Sequence, residues 1–220
     1  MITQIYSPTT VEEARNLVKL GVDYIGVNVG IRKEWPTILT PEKANEILLG
    51  VTPPAKKMVL TVSYDLNDLQ EIINRTKFDV IHLIAEPNLL TPEKVKELKK
   101  KNPPLLVMRT IPITDETSIQ LAKQYEGIAD FLLLDSRNKN SGSIGATGET
   151  HDWNISRKIV ELVSVPAVLA GGLGPDNVAE AIAKVHPFGV DSKTKTNYID
   201  RRGKDMEKVR QFVKIAHEAE

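Results

Sequence analysis

Eight short apolar runs, each followed by an amphipathic stretch, set the tightest limit on what this chain can fold into. The runs fall at residues 4–6, 23–29, 57–62, 79–84, 105–110, 130–135, 167–170 and 188–191. Most are rich in Val, Ile and Leu without polar alternation, which is how strands covered on both faces read. The helical stretches fall at 10–20, 41–49, 66–74, 92–101, 117–125, 154–163, 175–184 and 204–218. In the first of them Val11, Ala14, Leu17 and Val18 share one face. Thr40-Pro41-Glu42 and Thr91-Pro92-Glu93 put Thr at an N-cap and Pro at the first helical position. A strand–helix unit recurring roughly every 25–30 residues predicts an α/β fold, a single (β/α)₈ TIM barrel over residues 1–220. The alternative is an open doubly wound sheet. No Gly-x-Gly-x-x-Gly follows the first strand, which argues against its dinucleotide-binding version.

Composition removes several function classes. Lys plus Arg and Asp plus Glu both number 29, so bulk electrostatic attraction to nucleic acid or anionic membrane is not expected. Cysteine is absent, which excludes disulfides, thiolate catalysis and Cys-based metal sites. The four His residues lack metal-ligand spacing, so no metal is expected. No apolar run approaches the roughly 20 residues of a membrane-spanning helix, and no secretory pattern opens the chain, so a cytoplasmic protein is expected. The lysine cluster at 94–101 keeps Val95 and Leu98 on the opposite face, which reads as the solvated side of a helix.

In a barrel of this kind, binding and catalytic groups gather at the C-terminal ends of the strands. Two long loops follow strand ends, at 30–39 and 136–151, and the second, rich in Gly and Ser, is a candidate lid. In Leu169-Ala170-Gly171-Gly172-Leu173-Gly174-Pro175, an apolar strand runs through a glycine pair into a helix expected at Pro175. Two glycines permit close backbone approach to a ligand, and N–H groups at a helix start favour an anion. Gly171 and Gly172, with Asp191, Lys193 and Thr194 after strand eight, are therefore the candidate phosphate site. The competing reading is a tight turn and cap with no ligand. Asp135 closes strand six, where it serves either as a general acid or base or as a loop staple. His82 lies within strand four on one face with Ile84 and Glu86, and a lone His there is more often a satisfied core residue. Arg109 ends strand five, to hold an anionic substrate or pair with an Asp; Asp152 reads as a helix cap.

These segments together resemble phosphoribosylanthranilate isomerase, the Amadori-rearranging barrel of tryptophan biosynthesis, nearly end to end. Leu133-Leu134-Asp135 matches its LLD strand end, and 145–153 (GATGETHDW) is similar to its GGSGxxFDW. Leu169–Val178 matches its LAGGLxPxNV, the most specific segment, and Gly203-Lys204-Asp205 echoes its GxKD. The resemblance implies a ribulose-phosphate-binding type of barrel, with Asp135 as the general acid and the phosphate on Gly171, Gly172 and the loop from Asp191. No cofactor is expected, the expected partner is a phosphorylated small molecule, and the assembly stays open, a homodimer being one candidate. The family's general base, the Cys of a KICG motif, falls on Tyr6 of Gln4-Ile5-Tyr6-Ser7. Its SSG after strand eight reads Lys193-Thr194-Lys195.

The implied activity is a phosphosugar isomerase. Asp135 would protonate the ribose ring oxygen while His82, Glu86 or Tyr6 removes the C2′ proton, and Arg32 or Arg109 would hold the anthranilate carboxylate. A tyrosine of ordinary pKa, near 10, is a poor base at neutral pH. Two further readings stay open: a related epimerase or aldolase-like phosphosugar enzyme, and a non-catalytic phosphometabolite-binding barrel.

Overall fold

The computed structural model describes residues 1–31, 38–137, 144, 148–200 and 203–219. Eight strands form its centre: β1 (Ile2–Tyr6), β2 (Tyr24–Asn28), β3 (Lys56–Thr61), β4 (Val80–Leu83), β5 (Leu106–Ile113), β6 (Phe131–Ser136), β7 (Ala167–Leu169) and β8 (Gly189–Ser192). A helix follows each: α1 (Val11–Lys19), α2 (Pro41–Leu48), α3 (Leu66–Arg75), α4 (Pro92–Lys101), α5 (Thr117–Lys123), α6 (Trp153–Leu162), α7 (Val178–Val185) and α8 (Met206–Glu218). The strands pair in sequence order, all parallel, and β1 returns to β8, so the sheet is a closed barrel. The expected TIM barrel is the fold observed. The open-sheet alternative is excluded by the β1–β8 pairing, which matches Gln4 with Asp191.

Strand alternation sorts the core into two compartments. Met58, Val80, Met108, Leu133, Val168 and Ala170 point inward and fill the barrel. Their chain neighbours, such as Val59, Ile81, Val107 and Leu132, point outward into the larger core beneath the helices. Both compartments need apolar side chains, and so the strands read as unbroken hydrophobic runs. At the N-terminal end of the barrel, Phe131 stacks edge-on against Tyr24 and lies beside Phe188.

Several helix starts follow the expected chemistry and a few do not. The Thr40 hydroxyl accepts from Lys43 N, with Pro41 in the first turn. Thr91 occupies the N-cap of α4 but makes no side-chain cap bond; its hydroxyl is engaged with the Glu93 carboxylate instead. Asp152 does cap α6, accepting from Asn154 N. The helix expected at Pro175 begins only at Val178. The intervening turn is held by Asn177, whose side chain accepts from Gly174 N and donates to the Gly172 carbonyl. Residues 204 and 205 also fall outside α8, with Asp205 as its N-cap.

One glycine of β2 is fixed by packing alone. A Cβ built on Gly26 would stand 2.1 Å from Cε1 of Tyr6, so the tyrosine ring occupies the space that a side chain there would need. Gly26→Ala should therefore displace that ring and cost about 1–3 kcal/mol. Urea unfolding in a double-mutant cycle with Tyr6→Ala checks this: the alanine should cost far less once the ring is gone.

Candidate active site

A cavity of about 600 Å³ opens at the C-terminal ends of the strands. Inward-facing positions bring Tyr6 from β1, His82 from β4, Asp135 from β6 and Asp191 from β8 onto its wall, and Lys193 and Thr194 join from the loop after β8. Residues more than 180 apart in sequence thus face one space, because each sits on the last inward position of its strand.

Tyr6 and His82 form a closed chain of hydrogen bonds. The Tyr6 hydroxyl lies 2.6 Å from His82 Nδ1, and His82 Nε2 lies 2.6 Å from Thr110 Oγ1. Burial, with the nearby Arg109 charge, depresses the His82 pKa to about 3, so the ring is neutral near neutral pH. Burial, reinforced by Asp191 and Asp135, pushes the Tyr6 phenol well above its ordinary value. A phenol donating to Nδ1 and an Nε2–H donating to Thr110 satisfies both contacts. Neither residue offers a basic lone pair to the cavity in that arrangement. Glu86 carries a two-pronged ion pair with Arg137, at 2.8 and 3.0 Å.

Asp135 and Asp191 are the acidic pair of the cavity wall. Burial raises Asp135 to about 6, against the pull of hydrogen bonds from Ser136 N and Oγ and of the Lys193 charge. Burial raises Asp191 to about 7, with the Asp135 charge adding to it and the Gln4, Lys204 and Lys193 interactions opposing. Gln4 Nε2 donates to Asp191 Oδ1 at 3.1 Å. Like charges in a dry site disfavour double ionisation, so the pair holds one proton near neutral pH. Burial lowers the Lys193 ammonium, which the two carboxylates partly restore.

Lys204 is the group that reading the sequence missed. It opens the last helical stretch expected from the sequence, yet it is 2% exposed. Its Nζ donates to the Lys193 carbonyl at 2.7 Å and to Thr196 Oγ1. Burial pulls its pKa to about 7, with Asp191 opposing. Ser192 Oγ donates to the Leu173 carbonyl, so the loops after β7 and β8 are tied to each other. The signal available beforehand was the GxKD echo, and nothing in its spacing said that the lysine turns inward. Gln4, two residues before Tyr6 on the same strand face, was missed in the same way.

Arg109 does not reach the cavity. Its guanidinium donates to the carbonyls of Leu83 and Ala85, at 2.9 and 2.7 Å, and lies over the Tyr125 ring. Alternation explains this, since Met108 and Thr110 take the inward positions on either side. The glycine pair has left-handed backbone, with φ of 84° at Gly171 and 61° at Gly172. What it lets approach is the protein's own chain: a Cβ on Gly172 would stand 2.7 Å from the Glu149 carbonyl carbon. A Cβ on Gly171 would stand 3.0 Å from His151 Nδ1 and 3.3 Å from Asp135 Oδ1. Arg32, and residues 138–143 and 145–147 of the candidate lid, lie outside the described residues. Among the described residues there is no cluster of His, Asp and Glu able to hold a metal, and no helix long and apolar enough to cross a membrane.

The class that this fold and cavity define is a TIM barrel with its ionisable groups gathered at the C-terminal mouth. The family model described as N-(5'phosphoribosyl)anthranilate (PRA) isomerase matches residues 5–215. The N-(5'-phosphoribosyl)anthranilate isomerase of Methanocella arvoryzae is 34% identical over 212 residues, covering 96% of this chain and 95% of the relative. The chain belongs to the PRA isomerase family. Among solved structures, monomers of the dimeric phosphoribosylanthranilate isomerase from Thermotoga maritima match with a TM-score of 0.81 at 23% identity, covering 99% of this chain and 100% of that one. A phosphoribosylanthranilate isomerase in complex with reduced 1-(o-carboxyphenylamino)-1-deoxyribulose 5-phosphate matches with a TM-score of 0.81 at 22% identity, over 99% and 100% of the two chains. These two likenesses carry the fold.

The raised Asp191 pKa has a consequence for stability. Its folded value, about 7, lies above that of an unfolded aspartate. The folded state therefore holds the extra proton across that interval, and stability falls as pH rises through it. Asp191→Asn, which keeps an oxygen for Gln4, should be more stable than the parent at pH 8 by on the order of 2 kcal/mol, part of the gain being offset by Lys204 losing its neighbour. The advantage should vanish near pH 4. Paired denaturant titrations at the two pH values check it.

Proposed function

We propose that this protein is a phosphosugar isomerase that carries out the Amadori rearrangement of N-(5'-phosphoribosyl)anthranilate. The observation that carries the reading is the pair of buried carboxyl groups, Asp135 and Asp191, on one cavity wall of a PRA isomerase family member. An isomerisation that moves hydrogen between adjacent carbons needs one proton donor and one acceptor, and a pair sharing a proton near neutral pH supplies both. In this reading Asp135 protonates the ribose ring oxygen as the ring opens.

The phosphate takes the loops after β7 and β8. Gly171 and Gly172 shape the first of these loops. Lys193 supplies the positive charge and Thr194 a hydroxyl donor, and both line the cavity. Lys204 holds the lysine's backbone in place. The chain acts as one barrel domain, and a homodimer is the assembly to test, by light scattering.

A second reading, a barrel that binds a phosphorylated metabolite without turning it over, is favoured by one feature: the strand-one position holds Tyr6, a phenol locked to His82.

Loss of anthranilate fluorescence on mixing purified protein with the substrate separates the two. Turnover by the wild-type chain is the expected result, and binding without turnover would establish the second reading. Asp135→Asn should lower kcat by about 10²–10⁴ with little change in KM. Lys193→Met should instead raise KM by roughly 10-fold or more, the effect of losing one charge-assisted contact.

A further inference from the structure

We infer that Asp191 is the general base of the rearrangement, taking over the step for which strand one supplies no suitable residue. The inference rests on the proposed isomerase reading and names the residue that the reading leaves open.

The argument begins with elimination among neighbours. Tyr6, at the end of β1, spends its hydroxyl on His82. His82 has a partner at each ring nitrogen. Glu86 is held by Arg137. Among the described residues lining the cavity, Asp135 and Asp191 are the carboxyl groups, and Asp135 is committed to the ring oxygen.

Placement then favours Asp191 directly. The barrel closes by pairing β8 with β1, and the register sets Asp191 opposite Gln4, two residues before Tyr6 on the same inward face. The carboxyl therefore sits at the same corner of the mouth as the end of strand one. Gln4 is fully buried and donates to Oδ1, which fixes the rotamer of the carboxyl. Oδ2 has no hydrogen-bond or ion-pair partner among the described residues, so one oxygen is oriented and the other is available to substrate. Its position also argues against a direct phosphate contact, because a carboxylate repels a phosphate dianion. The loop beyond it, with Lys193, suits the phosphate better. Its elevated pKa makes it a stronger base than an ordinary aspartate, and it is the free acceptor whenever the proton that the pair shares sits on Asp135.

The step balances without any co-reactant. Asp135 gives its proton to the ring oxygen as the C1′–O4′ bond breaks and the nitrogen lone pair forms C1′=N. Asp191 takes the proton from C2′. The C–H electron pair becomes C1′=C2′, and the C=N pair returns to nitrogen, giving the enolamine. Ketonisation moves a proton off O2′ and another onto C1′, which restores both carboxyl groups.

The test uses purified full-length protein, the fluorescent substrate, and the reduced product, 1-(o-carboxyphenylamino)-1-deoxyribulose 5-phosphate with its ketone reduced, as an unreactive ligand. Asp191→Asn should lose about 10²–10⁴ in kcat while binding the reduced product within about threefold of wild type. In Asp191→Ala, added formate should restore part of the lost rate, which a merely structural role would not allow. The wild-type kcat should pass through a maximum near neutral pH, rising as Asp191 ionises and falling as Asp135 loses its proton, and the rising limb should be absent from Asp191→Asn. Wild-type turnover that persists in Asp191→Asn, or a loss confined to binding of the reduced product, would overturn this role alone. A wild-type protein that leaves the substrate's fluorescence unchanged would overturn the isomerase reading and this role with it.

Discussion

The seam between β8 and β1 is the contact on which the rest of the molecule depends. It joins strands at opposite ends of the chain and turns a sheet with two open edges into a barrel with none. Closure creates an interior distinct from the layer beneath the helices, and the side-chain alternation of every strand then has a fixed meaning. The same seam sets Gln4 against Asp191, a hydrogen bond between residues 187 apart in sequence. One strand pairing thus closes the fold and orients a carboxyl group at the mouth of the cavity.

Burial does the chemical work inside that mouth. Asp135 and Asp191 are raised, His82, Lys193 and Lys204 are lowered, and desolvation is the leading cause each time. Each such shift costs folding energy, because a charge has been taken from water without full compensation. The arrangement spends stability at the site and recovers it in the apolar compartments around it, a common balance for reactive groups on a rigid scaffold. The lysines also serve structure. Lys204 holds the backbone at Lys193, and Glu13 from α1 accepts from the Lys204 backbone N–H, so the loop after β8 is fastened to the first helix.

Tyr6 ties three strands of the barrel together at the mouth of the cavity. Its ring fills the space above Gly26, its hydroxyl reaches His82, and His82 reaches Thr110. This chain of contacts crosses the barrel from β1 to β5 and leaves no free proton acceptor along it. Tyr6 is a packing element here, while the carboxyl on the neighbouring strand lines the cavity.

The sequence by itself determined the order and kind of the elements. Eight apolar runs and eight amphipathic stretches are local patterns, and local patterns survive in any tertiary context that buries them. The sequence also marked the strand ends, so Asp135, Asp191 and Lys193, which line the cavity, were legible as candidates, and the glycine pair as a special backbone. Tertiary structure alone decided which way each side chain faces. A shift of one residue along a strand exchanges cavity for helix layer, and Arg109 fell on the outer side of that division. It also decided that Lys204 turns inward and that Gly171 and Gly172 make room for the loop at 148–151. Such contacts join residues from distant strands, and no spacing within one segment encodes them. Protonation belongs to the same category, because a carboxyl group's pKa depends on the water it has lost and the charges it faces.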